Sequence, residues 1–382
     1  MGNRKGEGQG LEKTVGIPIL KYGDRQRGDT WLNTYRGKKP HFFCVVAFTE
    51  TALIPGISAA GATPSERRTT AIAELEFLIN GPRPDPQYPL PPLTAGVSPA
   101  VISRALLSIL DIPIQGINAG LAIAPPVACL DLKGQPARCL STGAAMDRDS
   151  VQGLFKRAWA LGNSLGQENR DGYIILSECV VGGTSTALAV RLGLGSNGDG
   201  LVNSSHHQSN HQQKLDLVRQ GLNRAHLPTQ THPRHIVAAV GDPMQVAVAA
   251  MALGASRHTG VLLGGGTQML AVYALAHRWA TWDRLDWNPG AIAIGTTRWV
   301  TADPSAQAQQ LPQHLIPGDP QGPPFFAADL NFSAAASPAL KVYEAGFVKE
   351  GVGAGASAIA ASLYSNLNPK EALNAIERLA NL

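Results

Sequence analysis

The sequence predicts a doubly wound α/β fold: a mostly parallel sheet with helices on both faces, plus a small helical part from the chain ends. Three observations carry this reading. From Tyr173 onward, apolar runs of strand length alternate with helical patterns, and a strand that is apolar throughout is one covered on both faces. Those runs end in Gly, Thr and Ser, as ligand loops at the carboxyl ends of parallel strands do. Of the 382 residues, 44% are hydrophobic and 16% charged, a globular composition with a large interior. The expected organisation is a flexible extension over 1–30 and a single domain over 31–382, with inserts near 196–213 and 302–324.

In order, the first strand is His41–Phe48, a continuous apolar run. A Pro/Gly/Ser loop, Ile54–Gly61, follows it. Pro64-Ser65-Glu66 opens a helix on which Ile72, Leu75, Glu76 and Leu78 recur at helical spacing. Gly81–Pro99 is Pro-rich and reads as an extended crossing loop. Val101–Leu110 is helical and Ile112–Gly120 a short strand. Tyr173–Ser177 is a strand ending at Glu178, and Thr186–Val190 begins the next helix. A polar insert, Ser196–Gln213, holds His206, His207 and His211; Lys214 then starts a helical run through Leu215, Leu217, Val218 and Leu222. His235–Val240 reads as a strand before Gly241-Asp242-Pro243, with a helix over Met244–Leu253. Gly260–Leu263 is a strand ending in Gly264-Gly265-Gly266-Thr267, with a helix over Gln268–Trp279. Ala291–Ile294 is a strand ending in Gly295-Thr296-Thr297-Arg298. Ala302–Pro324 reads as a long surface loop. The chain closes with Asn368-Pro369-Lys370-Glu371, an Asn cap, a Pro at the first helical position and a Glu three residues after the cap.

Several function classes drop out. A net charge of +4 without any Lys/Arg run interleaved with aromatics does not suit nucleic acid. No apolar run reaches the roughly 18–20 residues of a membrane helix, and residues 1–27 have no apolar segment of a signal peptide, so the expected location is the cytoplasm. Cys44, Cys129, Cys139 and Cys179 form no C-x-x-C pair and read as reduced thiols, three of them in or beside apolar runs. There is no G-x-x-x-x-G-K-[ST] and no G-x-S-x-G. Gly193–Gly198 fits G-x-G-x-x-G but follows a helical pattern where a dinucleotide site needs a strand. Gly351–Ala356 fits the looser G-x-G-x-x-A and opens a helix, again with no clear strand before it. His206, His207 and His211 sit among Ser, Asn and Gln and read as an exposed loop, so no metal is expected.

The stretch that reads most as a site is Lys349–Ser357. It sets the carboxylate of Glu350 before Gly351, Gly353 and Gly355, and then becomes helical. Glycines let other atoms approach the backbone, and a helix start offers free N–H groups. Glu178 is placed similarly, ahead of Gly182-Gly183-Thr184-Ser185. An acid followed by backbone donors and hydroxyls suits a ribose phosphate. Gly265, Gly266 and Thr297 add donors of the same kind, and Lys214 is a candidate point charge for a phosphate.

Three segments carry a resemblance. Glu178-Cys179-Val180-Val181-Gly182-Gly183-Thr184-Ser185 resembles a Glu-Met-Gly-Ile-Gly-Asn-Thr-Thr motif. Val240-Gly241-Asp242-Pro243-Met244 through Met251-Ala252 resembles Val-Gly-Gly-Phe-Glu…Met-Ala. Lys349-Glu350-Gly351-Val352-Gly353-Ala354 resembles Gly-Glu-Gly-Ser-Gly-Ala. In this order, over about residues 173–365, they are similar to the nicotinate-nucleotide–dimethylbenzimidazole phosphoribosyltransferases (the CobT type), as a divergent branch. The resemblance implies transfer of a phosphoribosyl group from nicotinate mononucleotide to an aromatic base, with α-ribotide and nicotinate as products, no cofactor, and a homodimer. It implies that Glu350 is the general base, that Glu178 is the second active-site acid, and that Gly182, Gly183, Thr184 and Lys214 hold the phosphate. This chain departs from the motifs at Val180, Gly183 and Ser185, and its first third lacks the family's Asp-His-Gly. The acceptor is therefore open between a benzimidazole-like base and a purine. Two other readings stand beside this one: a Rossmann-type NAD(P)-dependent oxidoreductase using the Gly351 region, and a nucleotide-binding protein without catalysis.

Overall fold

The computed structural model describes residues 16–91, 96–196, 210–306, 308–316 and 322–381. The chain opens with β1 (Ile19–Tyr22), α1 (Arg25–Tyr35), β2 (Pro40–Ala47), α2 (Pro64–Asn80), α3 (Pro99–Ile109), β3 (Ile114–Gly120) and β4 (Cys129–Asp131). Next come α4 (Arg148–Glu168), β5 (Tyr173–Cys179), α5 (Gly183–Gly193), α6 (His211–Ala225), α7 (Pro233–Val240) and α8 (Pro243–Ala255). The last part holds β6 (Gly260–Gly264), α9 (Thr267–Asp283), β7 (Ile292–Thr297), α10 (Arg298–Thr301), β8 (Phe325–Ala328), α11 (Pro338–Lys341), α12 (Ala354–Ser365) and α13 (Pro369–Ala380).

The eight strands form one sheet in the order β1-β8-β7-β6-β5-β2-β3-β4. All neighbours are parallel except β1, which runs antiparallel to β8 at the edge. The period of two along each strand sorts its side chains between two cores. Phe43, Val45, Ile174, Leu176, Val261, Leu263, Ile292 and Ile294 face a cluster built with α4, α5, α7, α8 and α9. Phe42, Cys44, Val46, Tyr173, Ile175, Leu262 and Ala293 face the other, built with α1, α2, α3, α12 and α13. Both faces are covered, which is why these strands are apolar throughout.

The chain winds outward from β2 through β3 to β4, then returns to lay β5 on the other side of β2 and proceeds through β6 and β7 to β8. The direction of winding reverses between β2 and β5. Beyond the carboxyl ends of strands at such a reversal, the loops diverge and leave a crevice.

Three expectations are corrected. His235–Val240 is not a strand but most of helix α7, which Pro233 starts at the first helical turn and His232 caps. A short apolar run is ambiguous between a strand and a helix buried on all sides, and Ile236–Val240 is buried. The loose extension expected over 1–30 is ordered from Gly16 onward, and residues 1–15 lie outside the described residues. Ile19–Tyr22 pairs with Phe325–Ala328, Asp24 caps α1, and the Ile17 amide donates to the Leu367 carbonyl at 2.9 Å, tying the two chain ends together. The stretch 302–324 is no plain surface loop, since Ala308, Leu311 and Leu315 are buried in the first core cluster. Of the polar insert at 196–213, residues 197–209, with His206 and His207, lie outside the described residues, and His211 begins α6.

Candidate active site

A cavity of about 460 Å³ opens beyond the carboxyl ends of β2, β5 and β6, a size that accepts a nucleotide-like ligand. Its walls come from the loop after β2 (Gly56 to Ala62), the turn Glu178–Thr184, the turn Gly266–Gln268 and the strap Phe347–Val352, with Arg67 and Glu74 from α2. It therefore sits at the winding reversal, where the topology alone would place a ligand.

Glu350 stands at the centre of the strap. Its Oε2 accepts the Thr297 amide at 2.8 Å and the Thr296 hydroxyl at 3.0 Å. Its Oε1 accepts the Gly351 amide at 3.1 Å, and the Gly355 amide lies 3.3 Å from both oxygens. The carboxylate thus caps α12. These donors favour the ionised form, but burial outweighs them and lifts the carboxyl to about 7. Glu350 fronts the cavity and is only partly shielded; a bound ring would complete its desolvation.

The strap is held in an uncommon shape. Val348, Lys349 and Val352 have φ of 65°, 68° and 52°, a region unfavourable for any non-glycine and most of all for a β-branched residue. Such strain persists only where neighbours overdetermine it. Here Lys349 Nζ pairs with Asp303 at 2.7 Å in a buried ion pair. The Thr297 hydroxyl donates to the Lys349 carbonyl at 2.5 Å, the Val352 amide to the Glu178 carbonyl at 3.2 Å, and the Ser103 hydroxyl to the Val352 carbonyl at 2.8 Å. Gly355 is where α12 meets β7: a side chain there would overlap the Thr296 carbonyl carbon.

Glu178 is buried, and its carboxyl accepts the Val180 amide at 3.3 Å. Burial first, and the negative charge of Glu350 second, push its carboxyl to about 8. Two carboxyl groups so coupled titrate as a pair. Glu74 is a third acid on the wall, also raised by burial, holding the Ser98 hydroxyl at 2.8 Å and the Cys179 thiol at 2.7 Å. Asp242 caps α8, accepts the Thr186 hydroxyl at 2.5 Å and is raised to about 6 by burial. A cluster of acids in low dielectric is a strong mark of a site that handles protons.

The starts of α5 and α9 face the same cavity, and neither is capped by a side chain. They lie side by side, since a Cβ on Gly183 would overlap the Gln268 side chain. Thr267 Oγ1 and Gln268 Oε1 are buried, line the cavity and have no hydrogen-bond partner among the described residues. Of the candidate residues, Glu178, Gly182, Gly183, Thr184, Gly266, Glu350 and Gly351 form the wall. Ser185, Gly265, Thr297 and Gly353 stand behind it: Thr297 and Gly353 shape the Glu350 strap, Gly265 packs on Glu178, and Ser185 is buried in α5. Lys214 is not on the wall either. It is buried on the first turn of α6, and burial, then repulsion from Lys349, lowers its ammonium to about 7.

Two charged wall residues escaped the sequence reading, Arg67 and Glu74. The signal was present: they lie seven apart, on one face of a helix, in a stripe otherwise filled by Thr70, Ala71, Leu75 and Leu78. The glycine pattern at 351–356 is no dinucleotide cradle, because Glu350 already occupies the Gly355 amide such a cradle would offer a pyrophosphate. Among the described residues, no group of three or more His, Cys, Asp or Glu side chains is placed to share a metal ion.

Comparison with known proteins fits this geometry. A family model described as phosphoribosyltransferase matches residues 101–284. The chain is 51% identical over 364 residues to a UPF0284 protein of Cyanothece sp., covering 95% of this chain and 97% of that one. It is likewise 51% identical over 365 residues to a UPF0284 protein of Trichodesmium erythraeum, covering 94% and 98%. Among solved structures, CobT from Thermus thermophilus superposes with a TM-score of 0.57 at 16% identity, over 90% of this chain and 83% of that one. A structure titled nicotinate-nucleotide-dimethylbenzimidazole phosphoribosyltransferase, from the same organism, gives 0.56 at 16%, over 95% and 92%. At that identity the likeness is one of fold.

Proposed function

This chain belongs to the UPF0284 proteins, and from that premise we propose that it is a divergent CobT-like phosphoribosyltransferase that moves the phosphoribosyl group of nicotinate mononucleotide onto an aromatic nitrogen base. The observation that carries the reading is the placement of Glu350: a carboxylate fixed by four donor groups, at the wall of a ligand-sized cavity, with its pKa lifted to about 7.

In the proposed step, one ring nitrogen of the acceptor attacks ribose C1′ and forms the new C–N bond. The bond from C1′ to the nicotinate nitrogen breaks, and its electron pair leaves with nicotinate. The proton on the acceptor's other ring nitrogen passes to Glu350. An unperturbed Glu is a weak base; one lifted to near neutrality accepts a proton better and is still ionised in a useful fraction. Its negative charge also offsets the positive charge that builds on C1′ and on the acceptor ring. Glu178, its carboxyl raised to about 8 by burial and by the charge of Glu350, sits where it can exchange hydrogen bonds with ribose hydroxyls. The starts of α5 and α9 supply N–H groups for the phosphate. The homodimer and the cytoplasmic location belong to the same proposal.

The test is Glu350→Gln, assayed for nicotinate release against a panel of benzimidazoles and purines. The expected outcome is retained fold and retained nicotinate mononucleotide binding, with α-ribotide formation lost by roughly 10²-fold or more. Wild-type turnover should rise with pH toward a plateau above about 7, as Glu350 ionises. Unchanged turnover in the variant sinks the assignment. Ligand binding without any nicotinate release from the wild type would make the chain a binding protein.

A further inference from the structure

We propose that Arg67 is an anion clamp for the donor nucleotide, an inference that rests on the reading above and names a residue for that site. Arg67 is 4% exposed yet borders the cavity. Its guanidinium is fixed from behind by two main-chain carbonyls: Nε donates to Ala52 at 2.6 Å and Nη1 to Gly61 at 3.0 Å. Among the described residues it has no carboxylate within ion-pair distance; the ion pairs of this chain lie elsewhere. A guanidinium cannot shed its proton, and burying one without a counter-charge is unfavourable. The two carbonyls orient the fork but do not neutralise it, and the Nη2 side is left for a ligand.

The surroundings suit anionic oxygens. Ala52, which holds Arg67, packs on Gly182: a Cβ there would lie 3.1 Å from the Ala52 nitrogen. Arg67 therefore flanks the uncapped start of α5. On the other side of that start, Thr267 is 2% exposed with an unpartnered hydroxyl, and Gln268, 9% exposed, has an unpartnered carbonyl oxygen. A fixed fork, a helix start and a free hydroxyl form a built site for a phosphate or a carboxylate, and the Gln268 oxygen is an acceptor for a ribose hydroxyl. The donor carries both kinds of anion, its 5′-phosphate and the carboxylate of its ring.

The experiment compares the full chain with Arg67→Gln, which keeps a donor for Ala52 and removes the charge. Calorimetric titrations use nicotinate mononucleotide, nicotinamide mononucleotide (phosphate only) and nicotinate riboside (carboxylate only). Nicotinate mononucleotide should bind about tenfold or more weakly to the variant. A parallel loss for nicotinamide mononucleotide places Arg67 on the phosphate; a parallel loss for the riboside places it on the carboxylate. Equal affinities in wild type and a folded variant overturn the clamp. Should Arg67→Gln fail to give a native circular-dichroism spectrum, Arg67→Lys keeps the charge without the fork and is expected to show a smaller loss in the same titrations. Thermal stabilisation by inorganic phosphate separates the two layers of inference. If the wild type ignores all three organic ligands but is stabilised by phosphate through Arg67, the donor assignment falls and the anion site stands. If neither phosphate nor any of the three depends on Arg67, the site falls.

Discussion

Glu178 and Glu350 illustrate how much a residue's chemistry depends on where the fold leaves it. Each is an ordinary acid in the sequence; burial lifts both, and the charge of Glu350 adds to the rise of Glu178, which reaches about 8 against about 7 for Glu350. The shift of Glu178 is also a statement about stability. Its folded pKa exceeds its unfolded value, so between pH 4.5 and 8 the folded chain binds more protons than the unfolded one. Its contribution to stability is present at low pH and is lost as pH rises through about 8. Glu178→Gln removes that buried charge. The variant should melt near the wild-type temperature below pH 4.5 and a few degrees above it at pH 8 and beyond. Melting series at constant ionic strength check this, and a gap that shrinks as pH rises would refute the assigned burial. The same substitution is expected to cost turnover, because stability and function draw on this group in opposite senses.

At the scale of elements, the site is the place where three helix starts meet the ends of parallel strands. Two of these starts are left open toward the cavity, and the third, α12, is closed by Glu350. The third arrangement depends on α12 approaching β7 closely enough for the Gly355 amide to reach the carboxylate. Gly355→Ala should therefore push α12 off Thr296, lower stability by about 1–3 kcal/mol as an overpacking substitution, and reduce turnover with it. Denaturant unfolding and the nicotinate-release assay measure the two effects; a variant with native stability and rate would show that the contact yields. Much at this scale was legible in the sequence. Asn368, Pro369 and Glu371 form the capping box of α13 that their spacing announces, and the ends of β5, β6 and β7 fall at their Gly/Thr turns. Helix α7 was not legible, because a short apolar run reports burial and not its geometry. Strand β1 was not either, because a four-residue edge strand is defined by its partner β8, about 300 residues away.

For the whole molecule, the winding order brings together residues that are far apart in the chain. Arg67 and Glu74, Glu178, Gln268 and Glu350 share one cavity because β2 and β5 are neighbours and the winding reverses between them. A ligand that bridges these segments binds the folded chain and not the unfolded one. At a hundredfold excess over its Kd, nicotinate mononucleotide should add about 2.7 kcal/mol of stability, a rise of a few degrees in melting temperature. No shift at millimolar ligand would count against the donor assignment.

The α/β class was legible in the sequence alone, as were the glycine-rich turns and the two acids beside them as candidates. These are local matters, set by apolar periodicity, turn residues and motif spacing. Which candidates line the cavity became clear from the folded structure. It put Thr297 and Gly353 behind the strap, buried Lys214 beside Lys349, and brought Arg67 and Glu74 to the wall. The physical reason is that a wall is made by packing between distant segments, and burial, which sets both pKa and accessibility, is a property of that packing alone.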